Sequence, residues 1–529
     1  MRKRIGILID NFYNYQWSIL QGIFSAGEKS DANLFCFVGK SLESPYGYEK
    51  QGNLIYNLVD KENVDGLIIF SSAIGSDVSF DELVNFCKNF SKKIPTVNIG
   101  PPIENIPSIF IDNKTGFQEL LIHLIEDHGY RNIAFIRGPV MNEEADIRYE
   151  TFIQVADQYG IKINPDFIYE GNFLRNSGAE AVKTFLDKRT LKFEALVSSN
   201  DDMALSALEE LKTRGIKVPE DIAITGFDDV EETSLVTPPL TTVHQPLYEM
   251  GEKSVEMLLS IISGERVPEK VFLPTKLIIR NSCGCEFSGI NRAKVERKEE
   301  TIHLSFEKLK EFSKEFIKYV EENLRNFEKE EERHNLEKIY MSFIEALEEK
   351  NPDIFISTLE DILQEKETEI ENLSIYQEYI SLLRKFLFYY FDKENLHNAE
   401  NLWHQARVII NDFSERNQGY KRIKTELETE LMGEIGGALI SNFEINSILN
   451  QILERLPDLE IPSSYIIFYE NKNIPGRKGK LIFGYKDRQR IPEDKIFPIK
   501  KIIPEEVSPT IRTTYIIEPL YFQEDSFGY

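Results

Sequence analysis

The chain has 529 residues, 41% of them apolar, and a formal net charge of −26 at pH 7. That length allows about three domains, and the acidic excess argues against a sequence-independent grip on nucleic acid or on an anionic membrane, since either needs Lys and Arg to neutralise phosphates. Ile5-Gly6-Ile7-Leu8-Ile9 is followed at once by Asp10, so a signal-peptide apolar region is not expected; no apolar run approaches the ~20 residues of a membrane span, and four cysteines without a disulfide framework read as free thiols in a cytoplasmic chain.

From Lys3 to about Cys285, short apolar runs alternate with helical patterns, the βαβ signature of a parallel sheet. Strands are predicted at Ile5–Ile9, Leu34–Val38, Gly66–Phe70, Pro95–Ile99 and Ser108–Ile111. A second set follows at Asn132–Ile136, Phe167–Tyr169, Ala195–Ser198 and Ile222–Thr225, and two sets imply two lobes. Thr115–His128 reads as a helix with Phe117, Leu120, Leu121, Leu124 and Ile125 on one face, and Asp201–Arg214 as another, closed by Gly215. Gly226-Phe227-Asp228-Asp229 then places two carboxylates at the carboxyl end of a strand, where open α/β sheets bind ligands. The proline-stiffened run from Thr237 to Pro246 recrosses between sheets, as does the chain near Leu273-Pro274, which puts residues 1–129 and 245–272 in the first lobe and a cleft between the lobes.

The ordered run GFDD, TPPLTTV and Gln245-Pro246 resembles the effector-binding core of the LacI/GalR family. The same pattern recurs in Val64–Ile69, in Ile111-Asp112-Asn113 before Gly116, in His128–Ile136, in Ser199-Asn200-Asp201-Asp202-Met203-Ala204 and in Leu277–Ser282. The resemblance covers about 285 residues and implies an α/β, two-lobed, periplasmic-binding-protein-like (type I) fold with a small molecule, a sugar or sugar-like metabolite, in the cleft. Repressors of that family carry a helix-turn-helix headpiece of about sixty residues; this chain starts at the first strand, so no direct DNA contact is expected from it.

Asn200 and Asp228 match the family's ligand-binding Asn and Asp. Arg148 falls on its Arg-x-x-Gly-aromatic pattern, with Thr151 in place of the glycine, and Phe173 stands where an aromatic stacks on the ligand. From chemistry, a polyol needs planar bidentate groups and aromatic faces. The loop after the first strand offers both in Asp10, Tyr13, Tyr15 and Gln16, with Trp17 either there or packed under the helix. Ser71 and Ser72 contact ligand or cap the next turn, one of Asp201 and Asp202 is an alternative N-cap, and Asp112 and Gln245 are candidates near the crossings. Cys283-Gly284-Cys285, with no second pair or histidine cluster in view, leaves a zinc site unfilled, so no metal and no cofactor are expected. His244 reads as a satisfied histidine.

Residues 286–300 read as a linker and 301–420 as a helical domain. In 421–529, a helix with Ile423, Leu427, Leu431, Ile435 and Leu439 along one seam precedes strands at Ser464–Tyr469, Lys480–Tyr485 and Thr513–Pro519, an order similar to a GAF-type sensory domain that stops short of completion at Tyr529. The narrow seam predicts a homodimer. The expected function is a small-molecule sensor, not an enzyme, whose output module lies outside this chain. One alternative is a DNA-binding regulator acting with a separate headpiece; a second is a hydrolase using Asp228 and Asp229, disfavoured because neighbours on an extended loop point apart.

Overall fold

The structure is a computed structural model describing residues 2–529 except 141, 287, 296–301, 325–329, 368–372, 374, 442–443, 471–477, 487–488, 492–493, 505–506 and 508–510. It forms two compact units, residues 1–285 together with 443–529, and residues 286–442.

The first unit begins with β1 (Arg4–Ile9), α1 (Asn14–Lys29), β2 (Asn33–Val38), β3 (Gly66–Phe70), α2 (Ser71–Ile74), α3 (Phe80–Ser91), β4 (Thr96–Ile99), β5 (Ser108–Ile111) and α4 (Thr115–Glu126). It continues through β6 (Ile133–Arg137), α5 (Glu143–Gln158), β7 (Ile168–Glu170), α6 (Arg175–Lys183), β8 (Ala195–Ser198), α7 (Asp201–Thr213), β9 (Ala223–Thr225), α8 (Glu232–Leu235), β10 (Thr242–His244), α9 (Leu247–Ile262), β11 (Lys270–Leu273) and β12 (Lys276–Ile278). In the first lobe these strands run parallel in the order β11-β5-β4-β3-β1-β2, and in the second β7-β6-β8-β9. Ile5, Ile7, Leu8 and Ile9 of β1 are all buried, as a parallel sheet covered on both faces requires.

The chain passes between the lobes at three places. α4 packs on α5, β10 and β12, so the first crossing falls at residues 112–114. The boundary near residue 129 expected from sequence is thereby corrected: α4 belongs to the second lobe. The other crossings lie after β10, which pairs antiparallel with β12, and between β11 and β12.

Residues after 443 build an antiparallel sheet from β13 (Ser463–Tyr469), β14 (Lys478–Lys486), β15 (Gln489–Arg490), β16 (Ile496–Pro498), β18 (Leu520–Phe522) and β19 (Asp525–Gly528). The intervening strand β17 (Thr514–Ile517) leaves that sheet and extends the first lobe's sheet instead, parallel to β2, with Tyr515 stacked on Phe35 at 4.8 Å. Ile467, Leu481, Phe497, Ile502, Ile517 and Tyr529 join Leu8, Phe37, Tyr56 and Leu67 in one core. Tyr529 exchanges backbone hydrogen bonds with Ile467 and is buried, so the last residues lie inside the sheet.

The second unit is helical and is built around Phe316, Tyr340, Phe343, Tyr379 and Trp403. A single helix, Lys393–Ser441, runs through the expected domain boundary at 420. Its first half buries Ala399, Leu402, Trp403, Ala406 and Ile410, whereas Tyr420, Ile423 and Leu427 farther along are exposed. The side chain of Leu439 and residues 296–301 of the expected linker lie outside the described set.

Helices α1 and α9 cover one face of the first sheet in backbone-to-backbone contact at Gly22 and Gly251. A Cβ on Gly251 would lie 2.0 Å from the Ile19 carbonyl oxygen, far inside van der Waals contact, and one on Gly22 would lie 1.9 Å from the Tyr248 carbonyl oxygen. Gly251→Ala is therefore expected to force the helices apart and to cost about 1–3 kcal/mol, read as a lower midpoint in urea with an unchanged slope.

Candidate functional site

The centre of the inter-lobe cleft is Arg148 on α5, only 2% exposed. Its Nε and Nη2 donate to Asn113 Oδ1 at 3.0 and 2.6 Å, and its Nη1 donates to the Ser199 carbonyl at 2.8 Å. Glu144, one turn earlier on the same helix, pairs with Nη2 at 3.3 Å. The guanidinium lies 3.9 Å from the centroid of the Phe227 ring and 5.9 Å from that of Phe173. A desolvated guanidinium needs such partners, and its planar fork suits them.

Around this cation the cleft is acid-rich. Burial pushes the carboxyl of Asp228 well up, Asp201 adding to the effect and Arg148 opposing it. Glu144 is raised for the same reason, again against Arg148. Burial also pushes Asp201 up to about 7, against a hydrogen bond from Thr242. Asp10, just past β1, is pushed up to about 6 by burial although Gln16 donates to it at 3.1 and 3.2 Å. Tyr15 brings the first lobe to this cluster: burial raises its hydroxyl, and the charges of Glu144, Asp228 and Arg148 all reach it.

The GFDD turn is held in a costly conformation. Asp228 and Asp229 take φ of 130° and 61°, a region costing a non-glycine residue about 1–3 kcal/mol. Four contacts stabilise it: Asp228 N–H donates to the Val243 carbonyl at 2.9 Å, Gln245 Nε2 donates to the Asp228 carboxylate, and Asp229 bridges Arg280 (2.6 Å) and His244 (3.0 Å). Burial pushes Asp229 up, but His244 and Arg280 more than offset it and hold its carboxyl below the usual range. The two adjacent carboxylates thus serve different partners, and His244 is satisfied by Asp229.

Other expected site residues also make contacts within the fold. Asn200 is the N-cap of α7: its Oδ1 accepts from Met203 N–H at 3.1 Å and its Nδ2 donates to the Phe173 carbonyl at 2.9 Å. This assigns the cap to Asn200 and not to Asp201 or Asp202. Asp112 Oδ1 accepts from the N–H groups of Lys114 and Thr115, so its carboxylate shapes the first crossing. Tyr13 is 71% exposed, and Trp17 is exposed and meets Phe24 edge-on, so neither packs under the helix. Ser71 is buried and donates to the Ile99 carbonyl. Asn113, Glu144 and Phe227 were missed as site residues. Asn113 stands beside Asp112 in the Ile111-Asp112-Asn113 run, and Glu144 lies four residues before Arg148 on one helix face, a spacing that signals a pair.

A cavity of about 370 Å³ opens between the lobes, lined by Ser71, Ser72 and Leu83 on one side and by Glu143, Glu144 and Ile147 on the other. Among the described residues, buried Ser72 Oγ, Ser199 Oγ and Gln245 Oε1 find no hydrogen-bond partner of normal geometry, which is the pattern of a site that completes its hydrogen bonding with a ligand.

The premise that no histidines accompany Cys283 and Cys285 does not hold. The fold brings His123 and His128 to Cys283 and Cys285, all four ligand atoms lying within 4.8 Å of one another. The missing histidines are about 160 residues away in sequence.

A parallel two-lobed domain with buried polar groups converging between its lobes defines a ligand-binding domain of the periplasmic-binding-protein type, and residues 122–283 match the family model described as a periplasmic binding protein-like domain. The HTH-type transcriptional repressor CytR of Escherichia coli (strain K12) is 31% identical over 234 residues, 44% of this chain and 67% of that protein. The HTH-type transcriptional repressor PurR of Pasteurella multocida (strain Pm70) is 34% identical over 236 residues, 44% of this chain and 68% of that protein. The crystal structure of the Escherichia coli transcriptional repressor ascG aligns with a TM-score of 0.45 at 28% identity, covering 53% of this chain and 98% of that one. The chain belongs to the LacI/GalR family of transcriptional regulators.

The raised carboxyl of Asp10 has a definite sign in stability. The folded chain holds the Asp10 proton up to about pH 6, whereas an unfolded chain releases it near pH 4. Stability therefore falls as pH rises between those values, and the cost persists above them. Asp10→Asn is expected to gain stability over the parent chain at pH 8 and to lose that gain below about pH 4, as thermal melts across that range would show.

Proposed function

We propose that the cleft binds a neutral polyhydroxylated small molecule, a sugar or sugar-like metabolite, and that lobe closure on it regulates a transcriptional or signalling output. The observation that carries this reading is the cavity lined from both lobes, by Ser71 and Ser72 of the first and by Glu143, Glu144 and Ile147 of the second. Groups on both lobes engage one ligand together only when the lobes are closed, so ligand shifts the population toward closure. Carboxyl groups outnumber the single guanidinium, which disfavours an anionic ligand and suits hydroxyl donors; Phe173 and Phe227 offer apolar faces. The relatives are transcriptional repressors, which supports a regulator and not an enzyme. Action in the cytoplasm belongs to the same reading, since a transcriptional output lies there. Among the described residues, no helix is long and apolar enough to cross a membrane.

Isothermal calorimetry against a panel of sugars and nucleosides tests this, guided by mass spectrometry of ligand released from purified protein. Arg148→Ala and Asp228→Ala are each expected to weaken binding by about 2–5 kcal/mol; unchanged affinity in both discards the pocket.

The exposed half of the helix Lys393–Ser441, with Ile423 53% and Leu427 61% exposed, supports the further reading that the chain pairs with a second copy there, ahead of a GAF-like segment. Light scattering is expected to give a dimer that Ile423→Lys with Leu427→Lys converts to monomer. A parent chain that is strictly monomeric excludes it.

A further inference from the structure

His123 sits on the buried face of α4, and His128 follows it just beyond the helix end. Cys283 and Cys285 lie in the turn after β12, where the chain leaves the ligand-binding domain. The His123 and His128 Nε2 atoms are 3.3 Å apart. Cys283 Sγ lies 3.5 Å from His123 Nε2, and Cys285 Sγ lies 3.5 Å from His123 Nε2 and 3.4 Å from His128 Nε2. With zinc–sulfur bonds of about 2.3 Å and zinc–nitrogen bonds of about 2.0–2.1 Å, a regular tetrahedron has N–N edges of about 3.3 Å and S–N edges of about 3.5 Å. Each of these distances matches its tetrahedral counterpart to about a tenth of an ångström.

The surroundings fit the same purpose. His123 Nδ1 pairs with Asp127 Oδ2 at 2.6 Å, the carboxylate partner that fixes a ligating imidazole with its other nitrogen free to donate a lone pair. His128 is held flat against Tyr130, the planes 11° apart, and the Tyr130 hydroxyl donates to the Cys283 carbonyl. Gly284 takes φ of 109°, and a Cβ there would crowd the His128 ring at 3.1 Å, so glycine alone lets both flanking thiols turn to the same point. Cys283 and His123 are buried, while His128 and Cys285 are half-buried and leave a path for an ion.

We propose that His123, His128, Cys283 and Cys285 form a closed structural site for a thiophilic divalent cation, zinc above all, tying α4 to the chain as it leaves the domain. Two thiolates and two imidazoles in tetrahedral array select zinc over the hard cations, and four protein ligands leave no position for a reacting water. Binding displaces the two thiol protons to solvent and changes no oxidation state.

The test uses the full chain. Elemental analysis of protein purified without chelator is expected to find about one zinc per chain, and Cys283→Ser with Cys285→Ser to abolish it, while Cys36→Ser with Cys87→Ser retains it. Chelated protein reloaded with Co²⁺ should show the intense visible bands and thiolate-to-metal charge transfer of a tetrahedral cysteine–histidine site, a readout on the parent chain that does not depend on any variant folding. Asp127→Asn is expected to weaken zinc about 10- to 100-fold. A parent chain that takes up neither zinc nor cobalt, or that shows only an octahedral cobalt spectrum, overturns the proposal, as does zinc that persists in the Cys283/Cys285 variant.

Discussion

A guanidinium taken out of water must be paid back in hydrogen bonds, and Arg148 dictates much of what surrounds it. Asn113 is the residue at which the chain first crosses between lobes, Ser199 directly follows β8, and Phe227 is the second residue of the GFDD turn. One side chain therefore gathers the first crossing, the end of one strand and the loop after the next. The positive backbone angles of Asp228 and Asp229 are stable because this gathering, together with Gln245, His244 and Arg280, fixes the turn from several directions. The same residues that hold the cation bring raised carboxyl groups to the cleft, so fold and electrostatics share one cause.

Much of this was legible in the residues. The strands of both lobes fall within a residue or two of where their apolar runs place them, because a sheet covered on both faces demands near-continuous burial. Arg148 and Asp228 stood out as candidates through the resemblance, and Gln245 through its place near a crossing. Other features were not. The stripe Phe117, Leu120, Leu121, Leu124 and Ile125 declares that α4 is buried but not against which sheet, and so the first crossing was misplaced. Asn200 carries the right chemistry for a ligand, yet its amide oxygen caps the N-terminus of α7 and its amide nitrogen donates to the Phe173 carbonyl. His123 lies among those apolar residues and reads as core until the chain folds Cys283 and Cys285 onto it.

The acid-rich cleft and the cysteine–histidine cluster occupy opposite roles in one domain. The first holds polar groups that find no partner among the described residues and carboxyl groups that burial keeps from ionising freely. In the second, each ligating group already has neighbours at ligand-to-ligand spacing. On the two proposals made above, the cleft responds to a molecule that comes and goes, and the cluster keeps α4 and the departing chain in register while it does.

The placement of β17 beside β2 changes what counts as a module here. The chain departs at 285, makes a helical excursion, and returns to donate a strand to the sheet that its first residues began. By sequence, a cut at 285 looks like a clean excision of the binding domain. Such a fragment would bare the main-chain donors and acceptors of Leu34–Phe37 and strip Leu8, Phe37 and Tyr56 of the side chains that cover them. The isolated fragment would thus carry a sticky edge of its own making, and its self-association would report the cut and not the protein.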